Sequence, residues 1–310
     1  MPILRINAGP SGLEPHRARM SLPDALRLTL PETGPIIIMI HGFKYRPGHG
    51  SACPHGSIFA TDTARGAAAW PRHLGFGLGH EDEGLGIAFG WNARGHLRQA
   101  YKRAATAGQE LAALITQLRT RAPGRRIHIL THSMGSEVAF CALPHLPAQS
   151  VSRILCLTGA SFRSTALAAM DSPAGRTAEL VNITSRENDL FDWLFEWSVP
   201  APQRGDRAMG HGLKSRNIGT LQLDHPEHIT ALARLGSHIA PPNRRVCHWS
   251  GYLRPGALRV WARAMRQPEQ LPLHLIAPSP PAPRWSRIVA LPGGSFPGGA
   301  TAASQPVSHV

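Results

Sequence analysis

Cysteine is scarce in this 310-residue chain: Cys53, Cys141, Cys156 and Cys247 are the only four, and they are widely scattered. No CxxC pair occurs, which argues against the common zinc and dithiol patterns. Three of the four lie in apolar segments, where a free thiol behaves as a small hydrophobe. Long apolar runs are missing as well. The longest purely aliphatic one is IIIMI at 36–40, far short of the roughly 20 residues a membrane helix needs. The opening MPILRINAGPSGLEPHRARM has no apolar h-region of a secretory signal. A soluble, cytoplasmic protein is therefore expected. Lysine is rare, at Lys44, Lys102 and Lys214 alone, so arginine carries nearly all of the net charge of +14. The charge is dispersed, with no run of five or more. A nucleic-acid face needs clustered charge, so nucleic acid is not the expected partner. A basic binder of nucleic acid or of a membrane surface remains a third reading, which steep loss of binding with salt would support.

What is present reads as alternating strands and helices. PIIIMIHG (35–42) is a continuous β-branched run ending in glycine, and LGIAFGW (85–91), RIHIL (126–130), RILCLTG (153–159) and AELVNITS (178–185) are further apolar runs. Runs apolar on both faces belong inside a parallel sheet. LRLTL (26–30) and RRVCHW (244–249) read as shorter strands. Leu97, Tyr101, Ala104, Leu111, Leu114, Ile115 and Leu118 recur at helical spacing, and Pro123-Gly124 ends that helix. MGSEVAFCAL (134–143), PEHITALARLG (226–236) and RPGALRVWARAM (254–265) read as helices. Strand–helix alternation means parallel βαβ units with helices on both faces. Residues 1–276 are expected to form one domain, with 190–218 as a possible cap. Residues 277–310, rich in Pro, Gly, Ser and Ala, read as a largely disordered tail.

The stretch HILTHSMGSE (128–137) carries the chemistry. Strand passes to helix through Thr131-His132-Ser133 with no room for a loop. Such a turn pushes a serine outward at the carboxyl end of the sheet. Gly135 supplies one small neighbour. Thr131 stands where glycine is usual. A serine in this place is also a good helix cap, so its partners decide. Upstream, His41-Gly42-Phe43 ends the IIIMI strand. The N–H groups of Phe43 and Met134 are the candidate oxyanion donors. Downstream, Asp189 follows the strand tip at 178–185 and is the preferred acid, with Glu187 and Asp192 as alternatives. His248 follows the RRVCHW segment and is the preferred base, with His211 as runner-up among 17 histidines.

Nucleophile, acid, histidine in that chain order, with HGF, HSMG and CHWSGY, resembles the α/β-hydrolase fold, and within it a group of uncharacterised bacterial members. The resemblance covers roughly residues 30–265. It implies a mostly parallel, twisted sheet with helices on both sides. It also implies a serine hydrolase that cleaves an ester, thioester or related acyl bond of a small-molecule substrate, with Ser133, Asp189 and His248 as the triad. No metal or organic cofactor is required by that chemistry. Tyr45, His132 and Trp249 are expected at the substrate pocket, with Trp91, Phe162, Phe191 and Trp193 as further aromatics near strand tips. Residues 70–84 read as a lid or a surface loop. A non-catalytic binding protein on the same fold is the alternative, and Thr131 is its best support.

Overall fold

A computed structural model describes residues 2–9, 11–61 and 68–285. Eight strands form a single sheet: β1 (Ile3–Gly9), β2 (Gly12–Pro15), β3 (Ile36–Ile40), β4 (Leu85–Gly90), β5 (Ile127–His132), β6 (Arg153–Leu157), β7 (Glu179–Thr184) and β8 (Ile218–Gln222). Their order is β2-β1-β4-β3-β5-β6-β7-β8, and every pair is parallel except β1 with β2. The helices are α1 (Leu22–Thr29), α2 (Trp70–His73), α3 (Leu97–Arg121), α4 (Gly135–Ala142), α5 (Arg163–Met170), α6 (Pro173–Thr177), α7 (Asp189–Ser198), α8 (Pro226–Arg234), α9 (Ser250–Leu253), α10 (Ala257–Arg266) and α11 (Leu273–Ile276). Among the described residues, no helix is long and apolar enough to cross a membrane.

The β-branched run of β3 shows how the layers form. Ile36, Ile38 and Ile40 point into one apolar layer, shared with α1, α3, α4, α5 and α6. Ile37 and Met39 point into the other, shared with α2, α8, α9, α10 and α11. Alternate residues of a strand face opposite sides, so a strand buried twice must be apolar throughout. β3 and β5 are paired in register, Ile40 beside Thr131. Both therefore end at the same edge of the sheet.

Three expectations are corrected. LRLTL is not a strand but the end of α1: the Ser21 hydroxyl accepts from Asp24 N–H and Pro23 sits in the first turn, a helix start that overrides the alternating leucines. RRVCHW forms no strand, because its backbone is held by strand tips rather than by a sheet edge: Cys247 N–H donates to Glu187 O at 2.8 Å. The edge is taken by β8, whose glycine and polar residues give it only a weak strand pattern. Residues 70–84 begin with α2, which buries Trp70 in the core. They then wrap around the Glu83 carboxylate, which accepts the N–H groups of Gly77, Leu78, Gly79 and His80. Burial alone would raise the Glu83 acid, but these four bonds outweigh it and leave it lowered.

Of the segment read as a tail, residues 277–285 run back over the sheet edge. Ala282 N–H donates to the Gln222 side chain at 2.6 Å, the Ser279 carbonyl lies 2.9 Å from His228 Nε2, and Arg284 grips Glu196 of α7 with two bonds of 3.0 Å. Residues 286–310 lie outside the described residues.

Candidate active site

β5 ends at His132, and Ser133 follows with φ +53°. The left-handed region costs an L-residue about 1–2 kcal/mol, so the surroundings must hold it there. Ser133 N–H donates to Leu157 O at 3.1 Å, and its carbonyl accepts from Ser136 N–H (3.1 Å) and Ala160 N–H (2.9 Å). Two glycines let the layers close around this turn. A Cβ on Gly135 would lie 2.7 Å from Ile40 O, so only glycine lets α4 approach the tip of β3. A Cβ on Gly42 would lie 2.6 Å from Ser133 Cβ. Thr131, placed where glycine is usual, is fully buried, and its hydroxyl lies 2.8 Å from the Ser136 hydroxyl. The helix that follows begins at Gly135, two residues after the serine.

The β3 tip is locked by His41. Trp91 N–H donates to His41 Nε2 at 3.0 Å, which places the ring proton on Nδ1, 2.9 Å from Gly42 O. Trp91 Nε1–H in turn donates to His41 O at 3.0 Å, and the two rings stack at 5.8 Å. Burial lowers the His41 pKa to about 4, so the neutral ring persists. With its carbonyl engaged by His41, Gly42 leads into Phe43. Neither the Phe43 N–H nor the Met134 N–H has a hydrogen-bond partner among the described residues.

His248 approaches from the other side. Its carbonyl accepts from Thr158 Oγ1 (2.9 Å) and lies 3.1 Å from His132 Nε2. Its ring lies 4.7 Å from that of His132, the residue before the serine, and stacks on Phe191 at 4.7 Å and 27°. Burial, with His132 beside it, pushes its pKa well below the ordinary value. A neutral imidazole is the form that can accept a proton. Ser133 Oγ makes no hydrogen bond among the described residues; in unliganded hydrolases such contacts often tighten only when substrate arrives.

The group bonded to His248 is not the expected one. Asn188 Oδ1 lies 2.6 Å from His248 Nδ1. The other end of the amide, Nδ2, donates to Asp192 Oδ1 at 2.9 Å. Asp189 instead accepts Trp285 N–H at 2.7 Å. The reason is local. β7 ends at Thr184, a single turn at Arg186–Asn188 follows, and α7 begins only at Asp189. That turn brings residue 188, not 189, to His248. Burial raises the acid of Asp189 to about 6 and that of buried Asp192 to about 8. Glu187 is tied to Arg254 in a buried ion pair. His211, the runner-up base, lies beside Glu196 at 3.4 Å. One sequence signal marks Asn188: it stands directly before the helical apolar pattern of α7, where asparagine is a favoured cap.

The expected pocket aromatics separate into groups. Tyr45 lies against His41, ring centroids 5.3 Å apart. His132 is buried beside His248. Trp249 is largely exposed, 6.1 Å from Phe191. Trp91 and Phe162 are fully buried packing residues, and Trp193 faces outward on α7.

A parallel sheet with helices on both faces and a left-handed serine between β5 and α4 define an α/β-hydrolase. The chain belongs to the family described as "Alpha/beta hydrolase of unknown function (DUF900)", which matches residues 20–177, just over half of its length. Comparison with curated proteins gives no match. Distant similarities are found among solved structures. A Bacillus licheniformis lipase, BlEst2, is 13% identical, covers 50% of this chain and 67% of its own, and has a TM-score of 0.33. Phospholipase PlaB from Legionella pneumophila is 10% identical, with 79% and 64% covered and a TM-score of 0.37. The metagenomic carboxyl esterase MGS0156 is 12% identical, with 52% and 53% covered and a TM-score of 0.25.

Proposed function

We propose that the protein is a serine hydrolase that cleaves an ester or related acyl bond through an acyl-enzyme. The observation that carries this reading is the left-handed Ser133 at the strand–helix turn. A serine that only capped a helix would have no reason to hold a strained backbone. His248 takes the Ser133 proton at Nε2 while Asn188 holds Nδ1–H. The freed Oγ attacks the acyl carbon, and the N–H groups of Phe43 and Met134 receive the developing oxyanion. His248 returns its proton to the leaving oxygen. Water, activated the same way, then releases the acyl group. An asparagine can orient and hydrogen-bond the ring but brings no full charge, as in the Cys-His-Asn arrangement of other hydrolases.

The second reading, a non-catalytic binding protein, is favoured by one observation: an amide stands where a carboxylate is usual. A fluorophosphonate probe separates the two. Labelling located at Ser133 by mass spectrometry, and lost in Ser133→Ala and His248→Ala, supports the hydrolase. A folded wild type that takes no label leaves the binding protein.

A further inference from the structure

Helix α7 buries Phe195 but turns most of its apolar side chains outward. Its sequence, DLFDWLFEWS, places Leu190, Trp193, Leu194 and Trp197 at i, i+3, i+4 and i+7, one continuous stripe. On a surface helix such a stripe normally faces the core. Here all four side chains are exposed, Trp193 at 47% and Trp197 at 78%, while Asp189 and Asp192 face inward. The stripe does not stand alone. Phe191 lies 6.1 Å from Trp249, which brings in the exposed Val246, Trp249 and Leu253. Seven of the twelve exposed large apolar side chains among the described residues thus lie in two segments. His248 lies within the second and stacks on Phe191 of the first. Exposed apolar side chains gathered in two neighbouring segments mark an interaction site.

The rim selects the partner. The α7 acids are not available to solvent: Asp189 and Asp192 are buried, and Glu196 is held by Arg284, with Arg207 at 3.5 Å. Exposed arginines stand at the ends of both segments instead. Arg98 donates to Ser198 O at the end of α7, and Arg244 and Arg245 lead directly into Val246. Tryptophan is amphipathic and is enriched where apolar and aqueous phases meet, and arginine pairs with anionic headgroups. We propose that this face docks on an anionic phospholipid bilayer. Resting on the hydrolase reading, we further infer that the acyl ester delivered to Ser133 is drawn from that bilayer.

The test uses the full chain with vesicles of phosphatidylcholine containing phosphatidylglycerol, beside pure phosphatidylcholine. Co-sedimentation is expected with the anionic vesicles and is expected to fall steeply as salt is raised. Leu194→Ser/Trp197→Ser is expected to weaken binding at least about tenfold, and Arg244→Glu/Arg245→Glu to remove the preference for anionic vesicles. Ser133→Ala is expected to bind like wild type. Fluorophosphonate labelling of Leu194→Ser/Trp197→Ser at wild-type rate shows that its site is intact. Fatty-acid release from the anionic vesicles by wild type, lost in the same double variant, supports the lipid substrate. Failure to bind anionic vesicles, or equal binding by the variants, overturns the docking face. So does a concentration-dependent dimer that the Leu194→Ser/Trp197→Ser change disperses, because the stripe would then meet a second copy. Vesicle binding without fatty-acid release overturns the substrate inference. Binding with no labelling of wild-type Ser133 upholds the docking face and removes the hydrolase reading.

Discussion

Asn188 offers the sharpest test of the site, because the sequence alone favours its neighbour. Its Oδ1 lies 2.6 Å from His248 Nδ1, in a place from which water is largely excluded. In the proposed mechanism His248 takes the serine proton, and that bond becomes one to a cation. Asn188→Ala leaves the buried Nδ1–H unpaired at that moment. A hydrogen bond to a charged group contributes about 1.5–3 kcal/mol, so the labelling rate of Ser133 should fall about 10- to 150-fold at ~1.4 kcal/mol per decade. Asp189→Asn keeps an acceptor for Trp285 N–H and touches no proposed catalytic atom, so its rate should stay close to wild type. The assay is the second-order rate of fluorophosphonate labelling, with thermal melts to confirm that each variant is folded. A large loss in Asp189→Asn with a small one in Asn188→Ala would refute the assignment. Asn188→Asp places a new carboxyl within 2.9 Å of Asp192, whose acid burial already pushes to about 8. Two such groups resist double ionisation, so that variant should gain rate as pH rises through the alkaline range.

Other expectations follow from the same geometry. Gly42→Ala sets a Cβ 2.6 Å from Ser133 Cβ and 2.9 Å from His132 O; labelling should be abolished or the melting temperature sharply lowered, and normal values for both would sink the proposed packing. Glu83→Gln weakens a carboxylate that gathers four backbone N–H groups and should destabilise by about 2–3 kcal/mol, read by urea titration. His41 and His132 have pKa values lowered to about 4 and His128 to about 3, each chiefly by burial. All three lie below the unfolded value near 6.5, so the unfolded chain takes up protons first. Stability is then full above about pH 6.5 and is lost as pH falls toward 4, by up to about 2 kcal/mol per histidine by pH 5. Melting temperatures flat between pH 7 and 5 would contradict this.

Much of the fold is legible in the sequence because it rests on runs that permit few readings. IIIMI is apolar on both faces and fits a covered parallel strand, and RIHIL, apolar on one face through Ile127 and Ile129, pairs beside it. The turn at Ser133 is legible for a similar reason: no residue separates the end of β5 from it. What escapes the sequence depends on where chains meet at long range. Asn188 rather than Asp189 reaches His248 because one short turn intervenes after β7, and turn length sets which side chain faces inward. β8 is short and carries glycine and polar residues, so its pattern is weak, yet β7 pairs with it throughout. Thr131 reads as an obstacle until Ser136, five residues on at the start of α4, is seen to meet its hydroxyl.

The bonds from Arg284 and Trp285 to α7 span 88 and 96 positions of the chain. During synthesis the consequence is an order of events. β3, β5 and β6, with the turn at Ser133 and the N–H groups of Phe43 and Met134, are all made before His248. Ser133 is thus made first, His248 more than a hundred residues later, and the tie across α7 last of these. On the hydrolase reading we propose, a nascent chain holds an unarmed Ser133 until the segment beyond β8 that carries His248 has been made.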